Sequence, residues 1–412
     1  MKTRLVYWQV CFIVLCIEWL PLAGEAQTYE NYFRYIGNYP HNAEPEFANR
    51  ANGVTHDDSN WFFTQQEVLW KIPVEFDLNN LPESNRILKK EIGDIPQLAN
   101  GPGYNHFGDL SYHNGYLFIP LETADLGDWW SMPGIGVFKA SDLEYVGFCY
   151  LETKDGSWCA VNNKGDLYTS PKWENIDSLS QYRIRWDLLA QNPPQVKIEF
   201  VKSFPIYDIS GNKLTIQHSQ GADFSESGKL LFVLTGGPSS SEADCAIHVF
   251  DTSTWRRIAV SSQTDPFFNY ECHPGQLGDE SEGVTVWDLD DGRAPNIWGQ
   301  LHVIQIDVDI DSDDLYFQHY SGVTYVDAAY AGGNGDGRIT SPYTTVSAAA
   351  NFAWNGSKVK IEPGSYHNPV FFGRNIQVLS WHGTAVFGNM GRVSLSSPAA
   401  INLMAGGAIR IY

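Results

Sequence analysis

Cysteine is scarce in this chain: there are six in 412 residues. No two stand as a CxxC pair or at zinc-ligand spacing, which argues against a dithiol redox centre or a zinc knuckle. Positive charge is scarce too. Lysine and arginine number 27 against 48 aspartates and glutamates, giving a net charge of −21 and a pI of about 4.8. Such a surface repels phosphate backbones and anionic lipid, so neither nucleic acid nor a polybasic membrane contact is expected. No apolar run after residue 26 is long enough to span a bilayer. There is no GxSxG elbow and no HExxH helix, and the glycines of 332–337 follow neither a P-loop nor a dinucleotide-binding pattern.

What the chain has is aromatic residues, 14% of the total, and a hydrophobic content of 43%. Those figures describe a folded protein, and its length allows two cores. The first 26 residues read as a secretory signal: Lys2 and Arg4, an apolar run broken only by Glu18, then Ala-Gly-Glu-Ala with cleavage after Ala26. The mature chain is expected outside the cytoplasm, secreted or periplasmic. Cleavage removes Cys11 and Cys16 and leaves Cys149, Cys159, Cys245 and Cys272. An even count in an exported chain suggests two disulfides, with three possible connectivities. The pairing Cys149–Cys159 and Cys245–Cys272 is favoured, because each pair brackets a short excursion between strands.

One phrase occurs five times: NGVTHDDSNWFFT (52–64), HFGDLSYHNGYLFI (106–119), WCAVNNKGDLYT (158–169), QGADFSESGKLLFVL (220–234), and EGVTVW (282–287) followed after a loop by GQLHVIQI. Each has a small residue, a short strand, a polar turn and a more apolar strand. The register recurs at positions 55, 109, 160, 223 and 285. A second strand pair follows, as in GIGVFKASDLEYVGF (134–148) and AIHVFDTSTWRRIAV (246–260). Four strands per unit is the pattern of a β-propeller blade. Gly53, Gly108, Gly221 and Gly283 suit an innermost strand crowded around an axis. The last unit supplies only three strands, so ENYFRYIGN (30–38) is expected to complete it beside Leu315–His319 and close a five-bladed ring.

At residue 323 the pattern changes. VTYVDAAYAGGNGDGRITSPYTTVSAAANFAW gives a strand, a Gly-rich loop and a short helix, and KVKIEPGSY gives a strand and a turn. This resembles the N-terminal cap and first coil of right-handed parallel β-helices of the pectate-lyase-like superfamily. The resemblance implies that NIQVLSW, TAVFG, VSLSS and INLMAGGAIRIY stack as coils. The last of these is similar to solenoid ends of secreted bacterial proteins. No clustered Asp, Lys and Arg face follows, so the resemblance carries over no lyase activity. The expected architecture is all-β: a signal over 1–26, a propeller over 27–320, and a short β-helix-like domain over 323–412.

Polar residues gather where the innermost strands begin, and the same blade position would bring several of them together. His56, Asp57, His106, Asp109, His218, Asp223 and Glu282 are the candidates for a metal-dependent hydrolase of phosphoesters or glycosides at the channel mouth, with Glu271, His273 and Glu280 near them. Asp and His also tie blades together structurally, and that role competes for each residue. Asp307, Asp309, Asp311 and Asp313 alternate as in the start of a calcium loop, without its sixth-position Gly or twelfth-position Glu. Calcium is therefore the divalent metal to test. Trp129 and Trp130 are candidates to stack on sugar rings. With no recognised catalytic motif, the first expectation is a monomeric extracellular protein that binds a glycan or other surface polymer, and the hydrolase is the alternative.

Overall fold

The computed structural model describes residues 33–40, 46–123, 133–153, 156–237, 244–265, 268–270, 272, 279–308, 313–333, 335–353, 358–366, 370–372, 377–380, 384–387, 393–395, 400–401 and 408–411. Five antiparallel sheets form a five-bladed propeller, and the first four run from an innermost to an outermost strand in chain order. The first blade comprises Ala51–His56, Asn60–Gln65, Val68–Pro73 and Leu88–Glu91. In the second, the innermost strand is split into His106–Phe107 and Ser111–His113, followed by Tyr116–Glu122, Gly134–Lys139 and Tyr145–Tyr150. The third runs from Ala160–Val161 to Ile198–Pro205, and the fourth from Ser219–Phe224 to Arg256–Val260.

The ring follows from period-2 patterning on the second strands. Trp61 and Phe63 pack toward the fifth blade with Ile304 and Phe317, while Phe62 packs toward the second with Leu117 and Ile119. Phe118 turns the other way, to Leu167 and Tyr182 of the third blade. Leu231 and Val233 face the third blade, while Leu230, Phe232 and Leu234 face the fifth. A strand apolar on both faces must be covered on both, and in a ring each sheet covers its two neighbours. Each such buried side chain contributes about 1.5–3 kcal/mol.

The fifth blade is completed from the other end of the chain. Its own strands are Asp279–Val286, Leu301–Val308 and Asp313–Ser321, and the outermost is Arg34–Asn38. This closing strand runs antiparallel, with Arg34 opposite Ser321 and Asn38 opposite Gln318. The sequence placed it slightly earlier, beside Leu315–His319. Phe33 is buried against Phe232 and Phe268, with ring centroids 5.3 and 6.4 Å away.

After Ser321 the strands become parallel. Val323–Val326, Lys358–Ile361, Gln377–Ser380 and Ala400–Ile401 form one sheet. Gly364–Tyr366, Thr384–Phe387 and Ala408–Ile411 form a second, and Val370–Phe372 with Val393–Leu395 a third. The chain visits the three in rotation. The helix Val346–Phe352 is capped by Thr345, which accepts from the Ala348 N–H at 3.2 Å.

All four described cysteines are free thiols. Cys149 lies on the outer strand of the second blade near the Ile198 carbonyl, whereas the buried Cys159 thiol points to the Phe118 carbonyl. The expected Cys149–Cys159 bridge is therefore not formed, and the two thiols have separate partners. Cys245 and Cys272 are buried in one cluster, and their thiols are neighbours, so the expected Cys245–Cys272 bridge is not formed either. Mild oxidation by a small disulfide is expected to crosslink Cys245 to Cys272 alone, read by peptide mapping; a Cys149–Cys159 peptide would contradict this. Removing the closing strand leaves an open edge and an uncovered Phe232 face. Phe33→Ala is expected to cost about 3–5 kcal/mol in denaturant unfolding, and deletion of residues 27–40 more. An unchanged unfolding midpoint for the deletion would contradict closure.

Candidate functional site

The centre of the ring is filled, not open. In the first, fourth and fifth blades the innermost strand gains one residue just before its glycine: register shifts fall between Ala51 and Gly53, Ser219 and Gly221, and Ser281 and Gly283. In the second blade the extra residue comes after the glycine, since Phe107 pairs with Leu121 but Ser111 with Phe118. That displaced bulge sends the Asp109 carboxylate across the axis. It accepts N–H groups from Val54 at 3.0 Å, Ala222 at 3.0 Å and Val284 at 3.5 Å, one from each of three other blades. Glycine is required around it: a Cβ on Gly53 would stand 2.6 Å from the Asp109 Cα, and one on Gly283 would stand 2.7 Å from the Gly53 Cα. Burial pushes the Asp109 carboxyl well above its ordinary range, and Asp223 adds repulsion; the three N–H groups pull the other way.

This plug separates the candidate residues into two groups. Where the innermost strands begin lie His106, His218 and Glu282. The His106 Nε2 meets the Asn52 amide at 2.9 Å, and its Nδ1 lies 3.5 Å from Glu122. His218 lies 3.5 Å from Glu174 and packs on Trp173 at 4.5 Å. Burial, then Glu280, Asp109 and Glu122, push the Glu282 carboxyl well up. At the other end lie His56, Asp57 and Asp223. Asp57 shapes its hairpin by accepting the Ser59 and Asn60 N–H groups, each at 2.7 Å. Asp109 serves neither end. The seven therefore do not converge on one centre: three lie toward each end of the channel and Asp109 lies between them. Among the described residues, no three His, Cys, Asp or Glu side chains converge as metal donors. Asp309, Asp311, Trp129, Trp130, Glu271 and His273 lie outside the described residues, and for Asp307 and Asp313 only their strand positions are described.

The end where the innermost strands finish carries a groove of about 580 Å³. Its floor is made by side chains that join each blade to the next. Thr55 Oγ1 accepts the Tyr112 N–H at 3.2 Å, and Ser111 Oγ accepts the Val161 N–H at 3.0 Å. Asp223 accepts the Val286 N–H at 2.9 Å and the Thr285 hydroxyl at 3.0 Å. Burial raises the Asp223 carboxyl to about 6 despite those donors. The ring of His56 stacks on Trp287, with centroids 4.2 Å apart and planes 2° from parallel. Its two nitrogens meet the carbonyls of Asp57 at 3.0 Å and Val286 at 2.9 Å, and burial pushes its pKa down. The walls rise on turns that present Asp58, Asn163, Ser225, Glu226, Asp288 and Arg293, with Tyr112, His113 and Trp287 as aromatic surface. Sequence reasoning found His56 and Asp223 but missed Tyr112, Asn163 and Arg293. The recurring turn after each innermost strand was the available signal for Asn163 and Arg293.

Asp109→Ala would orphan three buried N–H groups, at about 1–3 kcal/mol each. Denaturant unfolding at pH 7 is expected to show a loss of at least about 3 kcal/mol, partly recovered in Asp109→Asn. Unaltered stability in the alanine variant would mean the carboxylate does not hold the blades together.

No family model matches the chain, and no curated protein matches it. Among solved structures, a glutaminyl cyclase from Myxococcus xanthus is similar over 70% of this chain and 96% of its own, at 12% identity and a TM-score of 0.39. A luciferin-regenerating enzyme matches over 65% of this chain and 76% of its own, at 12% identity and a TM-score of 0.38. A functionally unknown protein from Desulfotomaculum acetoxidans DSM 771 matches over 70% of this chain and 79% of its own, at 10% identity and a TM-score of 0.34. Likenesses this distant say nothing of what the chain does, and the propeller rests on its own strand pairing.

Proposed function

We propose that this is a noncatalytic extracellular binding protein, and that the groove where the innermost strands end holds a neutral glycan. The observation that carries this reading is the groove itself. Its volume of about 580 Å³ lies in the range of ligand sites, and it combines aromatic faces with short polar side chains on turns. Sugar rings present apolar C–H faces and dense hydroxyls, and Tyr112 with Asn163, Ser225 and Arg293 answers both. Asp58, Asp223, Glu226 and Asp288 outnumber Arg293 and Lys358 along the groove, which disfavours a polyuronate or a sulfated chain. His56 and Asp223 already spend their polar atoms on backbone and hydroxyl partners, which favours binding over chemistry. In this reading residues 1–26 direct export. The parallel sheets after residue 323 form a short right-handed β-helix of the pectate-lyase-like kind that acts as a spacer.

Pull-down on insoluble cellulose, chitin, starch and polygalacturonate tests the reading. Retention is expected on at least one neutral polymer and not on polygalacturonate. Tyr112→Ala with Arg293→Ala is expected to weaken retention by about tenfold, the equivalent of roughly 1.4 kcal/mol. Failure to bind any of the neutral polymers, or undiminished binding by a folded double variant, would overturn it.

A further inference from the structure

His302 and His319 stand directly opposite each other on adjacent strands of the fifth blade, 0% and 3% exposed. Their Nδ1 atoms are 2.8 Å apart. The His302 Nε2 lies 2.8 Å from the Trp287 carbonyl, and the His319 Nε2 lies 2.9 Å from the Tyr39 carbonyl. Trp287 belongs to the groove wall, and Tyr39 follows the closing strand. A carbonyl only accepts. Four ring nitrogens in line between two carbonyls therefore need three N–H bonds, whereas two neutral imidazoles carry two. Either one contact sets lone pair against lone pair, or the pair holds a third proton and a positive charge.

The surroundings bear on which state prevails. Trp61 and Phe317 pack edge-on or tilted against the rings, and the His56 imidazole on the groove side adds to the downward push on His302. Beyond His319 opens a cavity of about 140 Å³ that Tyr39, Asp290, Tyr325 and Arg338 also line. Among the described residues no carboxylate hydrogen-bonds either ring, so no direct ion pair offsets a charge there.

We propose that this histidine pair is a proton-gated tie: neutral at pH 7 with one of its three contacts lacking a hydrogen, it takes up one proton in acid through the adjoining cavity and then bonds the groove wall to the residue that follows the closing strand. Burial pushes both imidazoles down, His319 from its ordinary 6.5 to about 4, in keeping with late uptake. Any effect on ligand binding rests on the groove reading above; the proton count does not.

The sign follows from linkage. Unfolded, His319 takes its proton near 6.5, and folded near 4, so its contribution to stability is full above 6.5, falls as pH drops to about 4, and then levels. In His319→Gln one neutral amide can donate to both His302 Nδ1 and the Tyr39 carbonyl, closing the line without a proton. The Tm of the variant is expected to equal or exceed that of the wild type at pH 7. Its advantage should grow between pH 6.5 and 4 and stay constant below. Side-chain 15N spectra of the histidine-labelled wild type should independently show one nitrogen passing from unprotonated to protonated with a midpoint near 4. Parallel Tm curves for the two proteins would overturn the proposal. So would a pair already carrying three protons at pH 7, or one still carrying two at pH 3.

Discussion

Everything at the centre of this ring depends on one carboxylate. Asp109 reaches the axis and gathers backbone N–H groups from three other blades, at a point where Gly53, Gly221 and Gly283 pack backbone to backbone. Without side chains there, the inner strands come close enough to leave N–H groups that cannot reach each other's carbonyls. A single carboxyl group with two oxygens answers three of them. The second blade supplies it by placing its extra residue after Gly108, where the first, fourth and fifth blades place theirs before the glycine. A shift of that kind turns a side chain from one face of a strand to another.

A solid axis divides labour along the channel. The hydroxyls of Thr55 and Ser111 and the Asp223 carboxylate join blade to blade just beyond the plug, so the groove floor is fixed by structure. Variation is left to the turns above it, where Asp58, Asn163, Glu226 and Asp288 can change without breaking a ladder. A rigid floor under adaptable turns is the usual arrangement of a recognition surface. It also explains why the recurring Asp and His residues of the inner strands are poor guides to chemistry, since most of them are engaged in holding the ring.

Much of the architecture was legible because it rests on alternation and counting. Apolar second strands such as Leu230–Thr235 announce two covered faces, and three strands in the last unit demand a fourth from elsewhere. The site was less legible for an equally physical reason. Aligning Asp109 with Thr55, Asp223 and Thr285 assumed an unbroken register, yet Ser111 is the residue that does the work of Thr55, because one added residue between Phe107 and Ser111 shifts the strand. A bulge costs the sequence no change in composition, so periodicity alone does not reveal it. The thiols failed similarly: Cys149 and Cys159 are close in sequence, but they lie on outer and inner positions of different blades.

The closing strand is held from more than one side. It pairs with the last propeller strand, and the first loop of the parallel module grips its outer edge, with Arg34 donating to the Asp336 carbonyl at 3.1 Å and Arg338 to the Ile36 carbonyl at 3.2 Å. Nearby, Tyr325 donates to Asp290 of the fifth blade, and Lys360 lies 3.5 Å from the same phenol. Burial, foremost, holds the Asp290 carboxyl up, and Lys360 works against that. An outermost strand of a propeller ordinarily leaves its far edge to water and is the first to fray. Here that edge is bonded by the loop that opens the parallel module. Closure of the ring and docking of the parallel module therefore share contacts, and loosening either one exposes the polar atoms of the other.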